Sequence, residues 1–101
     1  MGTASWVLVG AAGAMHETFG SVCHGAGRLL SRTAAAKGRD AKQVQKKLED
    51  QGIIVRSETR FGILEEVPQA YKNVDEVIDV VHRAGLGRKV ARLRPMGVIK
   101  G

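Results

Sequence analysis

An α+β fold is predicted by three observations. Short apolar runs at Ser5–Val9 and Ile53–Val55 read as strands, and residues 40–52 and 73–85 carry helical spacing with a cap at each end. The βαβ regularity of a doubly wound sheet is missing. At 101 residues the chain buries about 65% of its unfolded surface, enough for one small core and not for two domains.

Taken in order, Ser5-Trp6-Val7-Leu8-Val9 predicts a buried strand that Gly10 ends. The following stretch to Gly27 is rich in Gly and Ala with little periodicity, and a loop of that length in a small domain points to a functional one. Residues 28–37 read as a helix closed by Gly38. Asp40 with Gln43 forms a capping box for a second helix, whose Ala41, Val44 and Leu48 share a face and whose stop is Gly52. A strand over 53–57 follows, and Phe61–Leu64 is ambiguous between strand and turn. Asn73 with Glu76 caps a third helix carrying Val74, Val77, Ile78 and Val81 and ending at Gly85. Its β-branched residues require packing to sustain it. Residues 89–94 alternate as an edge strand before Pro95. Three helices and four strands result.

Composition narrows the function classes. With 44% hydrophobic and 26% charged residues, the chain is neither collagenous nor disordered, and the 4% aromatics and 13 glycines make its core thin. Cys23 is the one cysteine, so no internal disulfide forms. No run approaches the ~18 apolar residues of a membrane span. Trp6–Met15 is apolar but no Lys or Arg precedes Arg28, against a signal peptide. Met1-Gly2 lacks the Ser or Thr that myristoylation needs, because that position holds Trp6. A cytoplasmic protein with no membrane partner is expected.

The net charge of +6 is unevenly placed. Residues 28–47 hold seven basic groups against Asp40 alone, residues 83–101 hold six and no acid, and residues 48–82 hold eight acids and three bases. Two basic blocks suit a phosphate-rich partner touched at two places, or form an ordinary solvated surface.

The chemically suggestive segment is Ser21-Val22-Cys23-His24-Gly25-Ala26-Gly27-Arg28. Gly25 and Gly27 allow close backbone approach to a ligand, and they precede a predicted helix whose N–H groups favour an anion. His24 beside such an anion would act as nucleophile or general acid/base; otherwise it is a hydrogen-bonded turn residue. Neither a P-loop nor Gly-x-Gly-x-x-Gly is present, Gly10-Ala11-Ala12-Gly13 notwithstanding. His16, Cys23, His24 and His82 lack zinc spacing, and no metal site is expected within the chain. His82 reads as a surface residue, and Cys23 as a small buried side chain rather than a ligand or reactive thiol. Glu65-Glu66 suit acid/base work or simple solvation, Tyr71 base stacking or core packing, and Lys100 a tail.

Four stretches carry a resemblance. Met-Gly-Thr-Ala-Ser-x-Val-Leu-Val-Gly at 1–10, Glu-Thr-Phe-Gly-Ser-x-Cys-His-Gly-Ala-Gly-Arg at 17–28, Glu-Glu-x-Pro-x-Ala-Tyr-Lys at 65–72 and the ending at 89–101 closely resemble the RtcB family of RNA-splicing ligases. The resemblance runs through the whole chain in order. It implies a GTP- and Mn2+-dependent RNA ligase that joins a 3′-phosphate or 2′,3′-cyclic phosphate end to a 5′-hydroxyl, as in tRNA halves. The residue matching His24 attacks the α-phosphate of GTP and becomes guanylylated. Gly25, Ala26 and Gly27 match the lining of the GMP site, Met1 and Ser5 match a loop that also lines it, Tyr71 matches a residue against the guanine and Lys100 matches the family's base-contacting lysine.

Family members are several times longer. The resemblance therefore implies the C-terminal portion of a larger single-domain fold, residues 1–101, with the manganese ligands in an upstream part as its partner. Met1 corresponds to the inside of a Pro-Gly-x-Met loop, which fits a truncated product, a dissected domain or one piece of a split protein. The expected function is a ligase segment inactive alone; the alternatives are a non-catalytic basic RNA-binding module from the same family and a fragment with exposed core.

Overall fold

The computed structural model describes residues 1–101. In chain order the elements are β1 (Ser5–Gly10), α1 (Gly13–Thr18), α2 (Arg32–Ala36), α3 (Ala41–Asp50), β2 (Ile54–Ser57), α4 (Arg60–Glu65), a 3₁₀ turn (Pro68–Ala70), α5 (Val74–Arg83), β3 (Gly87–Leu93) and β4 (Gly97–Lys100). The class is α+β, as predicted. The strands form two separate pairs, β1 antiparallel to β3 and β2 parallel to β4. The chain divides into two compact units: Met1–Thr3 with Arg28–Lys72 and Pro95–Gly101, and Ala4–Gly27 with Asn73–Arg94. Length alone predicts one small core, whereas the buried side chains are divided between these units.

In the first unit, Asp40 caps α3 as predicted, accepting from the Gln43 amide at 3.0 Å. Gly52, at φ +78, lets the chain turn back so that the Ile53 amide donates to the Leu48 carbonyl. Leu48, Ile53, Val55 and Ile63 then meet in one apolar cluster, flanked by Met1, Val44 and Val98. Ala35, Val67 and Ala70 form a second, flanked by Leu30, Val44 and Tyr71. Val44 on α3 touches both. The parallel pairing sets Val55 opposite Val98 and Ser57 opposite Lys100, so the last residues form a strand instead of the expected tail.

Two further expectations are corrected in this unit. The helix predicted from Arg28 begins at Arg32, because Arg28 bridges to Tyr71 and the amides of Leu29 and Leu30 donate to the Ala70 carbonyl. Ser31 is its true cap, accepting from the Ala34 amide. The ambiguous Phe61–Leu64 run is helical within α4, started by the Thr59 hydroxyl accepting from the Gly62 amide.

In the second unit, β1 and β3 pair with a register shift between Val7 and Leu8, where Leu8 lies opposite Lys89 and Trp6 opposite Arg92. The supposed loop after Gly10 contains α1, which together with α4 raises the helices from three to five. Gly13 approaches the Gly85 carbonyl so closely that a Cβ there would lie 2.7 Å from its oxygen. Asn73 caps α5 as predicted, its side-chain oxygen accepting from the Asp75 amide while its amide nitrogen donates to Glu76. Ile78 and Val81 are the buried residues of α5. β1, expected to be a buried strand, has no buried residue: a two-stranded sheet over a thin core leaves Val7 and Val9 exposed, as it does Val90 and Leu93.

The polar side of this sheet is tied to α5. The Trp6 indole donates to Asp75 at 2.8 Å, Arg92 donates to both Asp75 oxygens at 3.0 Å, and Lys89 pairs with Asp79 while lying 5.1 Å from the centre of the Trp6 ring. The Arg92 guanidinium, and then the Trp6 indole, hold the Asp75 carboxyl below its ordinary 3.8. A depressed carboxylate contributes stability above its unfolded-state value and loses it as the pH falls through the lower folded-state value. Trp6 is the one tryptophan, so the fluorescence reports on the surroundings of this indole. We expect a fluorescence transition with a midpoint below 3.8, absent in Asp75→Asn; a midpoint at or above the ordinary value would contradict the geometry.

Candidate functional site

Glu66 follows α4 directly and precedes Val67, whose side chain is buried. Its carboxylate therefore projects from backbone anchored on both sides. Tyr71 donates its hydroxyl proton to Glu66 Oε2, and Lys100 Nζ lies 3.6 Å from Oε1. Met1 donates from its amino nitrogen to the Glu66 carbonyl at 3.3 Å. Three of the residues that the sequence singled out, Met1, Tyr71 and Lys100, are thus gathered around one residue.

Arg28 braces the other side of the Tyr71 ring. Its Nη1 donates to the Tyr71 hydroxyl at 2.8 Å, its Nη2 to the Glu65 carbonyl at 2.6 Å, and its Nε to the Leu30 carbonyl at 2.9 Å. The guanidinium carbon sits 4.8 Å from the ring centre, a cation–π contact. Glu65 faces Arg32 at 3.5 Å and Lys100 at 3.9 Å. Of the two roles expected of Tyr71, its packing against the Ala35 cluster is seen, and its hydroxyl is held in a charged network.

The charges in this network shift each other. Burial alone would raise the Glu66 carboxyl, but the Tyr71 hydrogen bond with Lys100 and Arg28 nearby brings it below its ordinary value. Burial and the Glu66 carboxylate push the Tyr71 phenol up, which keeps it protonated.

His24, Gly25, Ala26 and Gly27 lie in the second unit, in an irregular segment, and Ser5 opens β1 there opposite Leu93. The His24 side chain is exposed and has no partner within the chain. A Cβ on Gly25 would meet nothing within 4 Å, so the chain's own packing does not demand glycine there. Gly27 needs glycine for its backbone, at φ +81. No helix starts behind these glycines, since α2 begins only at Arg32. The helix N-terminus invoked for anion binding is therefore absent, and any anion contact would come from exposed backbone and His24 alone.

Cys23 is exposed rather than buried, in an irregular segment where Ser21 to Gly25 are all exposed. His82 is exposed as predicted, its Nδ1 accepting from the Lys89 amide at 3.4 Å. No group of three or more His, Cys, Asp or Glu side chains could hold a metal ion. Glu65 and Glu66 are not plain solvated acids, with side chains only 15% and 18% exposed. Arg28 escaped sequence reasoning, although it closes the 17–28 motif; its role depends on Tyr71, forty-three residues away. The basic and acidic blocks are partly spent on each other, through Arg28, Arg32 and Lys100 with Glu65 and Glu66, and Lys89 and Arg92 with Asp79 and Asp75.

A family model described as tRNA-splicing ligase RtcB matches residues 1–101. The chain is 56% identical over 101 residues to the tRNA-splicing ligase RtcB of Thermococcus kodakarensis and 54% identical to that of Archaeoglobus fulgidus, each alignment covering 100% of this chain and 21% of the relative. With the namesake of Methanocaldococcus jannaschii the identity is 52%, over 100% of this chain and 10% of the relative. The chain thus spans 21% or less of the length of these curated relatives, and it matches their C-terminal part.

Proposed function

The chain belongs to the tRNA-splicing ligase RtcB family, and from that premise we propose that it is the segment of such a ligase bearing the nucleophile and the base-binding residues. The whole ligase joins RNA 3′-phosphate or 2′,3′-cyclic phosphate ends to 5′-hydroxyl ends, tRNA halves among them, with GTP as the energy source. His24 attacks the α-phosphate of GTP, pyrophosphate leaves, and His24 hands GMP to the RNA 3′-phosphate, from which the 5′-hydroxyl displaces it. Gly25, Ala26 and Gly27 leave room beside the nucleophile; Met1 and Ser5 line the nucleotide loop; Tyr71 and Lys100 meet the guanine base.

One observation supports this most. In a chain matched from end to end by the family, His24 is exposed beside a glycine that the chain's own packing does not need. An imidazole nitrogen can act as a nucleophile, and from such a position nothing in the chain obstructs its approach to phosphorus. Manganese does not fit these residues, which offer no cluster of three donors. Its ligands are assigned to the remaining length of the ligase, and the chain alone is expected not to join RNA.

Intact mass after incubation with GTP and manganese tests this reading, with and without the rest of the ligase supplied in trans. A GMP adduct on this chain, and joining of RNA ends, are expected only in the mixture. Absence of the adduct from a folded mixture would overturn the reading. The non-catalytic RNA-binding alternative draws on the exposure of Lys37, Lys42, Lys46 and Lys47 in the first basic block. It predicts RNA retention without any adduct.

A further inference from the structure

We propose that Glu66 is a positioning residue for base binding: its two carboxylate oxygens hold the Tyr71 hydroxyl and the Lys100 ammonium in place before a nucleotide arrives. This rests on the nucleotide reading above and adds a residue to it. A lysine ammonium on a four-carbon stem is mobile, and a tyrosine ring is free to tilt unless its hydroxyl is tied. Here Oε2 accepts the Tyr71 proton while Oε1 faces Lys100 at 3.6 Å, so one carboxylate couples both groups.

The arrangement has rigid supports. Val67, next in the chain, is 1% exposed, and the 3₁₀ turn at Pro68–Ala70 leads from it to Tyr71. Lys100 is delivered by β4, whose register on β2 places it opposite Ser57. Arg28 donates to the Tyr71 hydroxyl at 2.8 Å and itself lies 3.6 Å from Glu66 Oε1, so the hydroxyl both accepts and donates and the ring is fixed. Glu65 contributes its carbonyl to Arg28 and its carboxylate to Arg32, and lies further from Lys100, at 3.9 Å. Glu66 alone touches both base-binding side chains directly through hydrogen-bonding or charged atoms at the shorter range.

The test uses the 101-residue chain and Glu66→Gln, which keeps the size of the side chain and removes its charge. Tyr71 is the one tyrosine, so phenolate absorbance on raising the pH reports it alone. In Glu66→Gln that titration is expected to move to lower pH, and affinity for GMP, read by calorimetry, to fall about tenfold, the scale of one charge-assisted contact. The urea midpoint should fall modestly, because the contacts that favour the Glu66 charge are lost, while unfolding stays cooperative. An unmoved phenol titration would overturn the proposal, as would a moved titration with GMP bound equally well. If wild type binds no GMP although the titration moves, the nucleotide reading has failed and the proposal falls with it, but the coupling of Glu66 to Tyr71 stands. Should Glu66→Gln not fold, Tyr71→Phe, which keeps the ring and frees the carboxylate, is expected to show the same tenfold loss; full affinity there would equally overturn the proposal.

Discussion

Replacing His24 with alanine is expected to abolish the GMP adduct proposed for this chain and to leave its unfolding unchanged. The side chain is exposed, sits outside every helix and strand, and has no hydrogen-bond or charged partner, so truncating it removes no packing and leaves no polar group unsatisfied. Covalent transfer, by contrast, has no substitute once the attacking lone pair is gone. A loss on the order of 10³-fold or more is expected, as for removal of other nucleophiles. The measurement is intact mass with GTP, manganese and the rest of the ligase, beside a urea denaturation curve. Cys23 is adjacent, exposed and itself a nucleophile. Cys23→Ser is therefore the informative control and should retain the adduct. An adduct that survives His24→Ala and disappears in Cys23→Ser would reverse the assignment.

Leu48→Ala should cost about 2–4 kcal/mol and remove cooperative unfolding from the first unit. Eleven apolar residues are buried and four of them are alanine, so each large buried side chain carries an unusual share. Leu48, 4% exposed, joins α3 to Ile53, Val55 and Ile63, and a Cβ on Gly2 would lie 2.7 Å from its Cδ2. Removing it opens a cavity bounded by three elements that have little else to close on. Domains of this size have roughly 5–15 kcal/mol of stability in all, and this core is thin, so the loss is a large fraction. Urea unfolding followed by far-UV circular dichroism checks it, and a change below about 1 kcal/mol would mean that this cluster is not the core. A functional consequence follows from the register: β2 carries Val55 and holds β4, which carries Lys100. Nucleotide affinity should therefore weaken in Leu48→Ala even though Leu48 lies in the apolar cluster.

These two variants separate what is local from what is distributed. His24 was legible as a chemical group from its own neighbours, because an imidazole followed by Gly-Ala-Gly is a pattern within four residues. The helix thought to stand behind it was misread, since residues 28–31 have helix-compatible composition and nothing nearby says that Leu29 and Leu30 donate to Ala70 instead. The resemblance of four motifs supplied Met1, Tyr71 and Lys100, and the structure added Glu66 and Arg28, which connect residues from both the 17–28 and 65–72 motifs.

By itself the sequence determined the α+β class, the caps at Asp40 and Asn73, the helix ends at Gly52 and Gly85, the strands β1 and β3, and the family. Each of these is a signal over a few residues, or a set of motifs, and survives without knowledge of the rest of the chain. Tertiary structure alone decided that the C-terminal residues form β4, that α2 starts at Arg32 rather than at Arg28, and that Glu66 is shared by Tyr71 and Lys100. The physical reason is separation along the chain. Gly97 pairs with Ile54 and Arg28 bridges to Tyr71, and no local propensity can anticipate which distant backbone or charge will satisfy a hydrogen bond once the chain is folded.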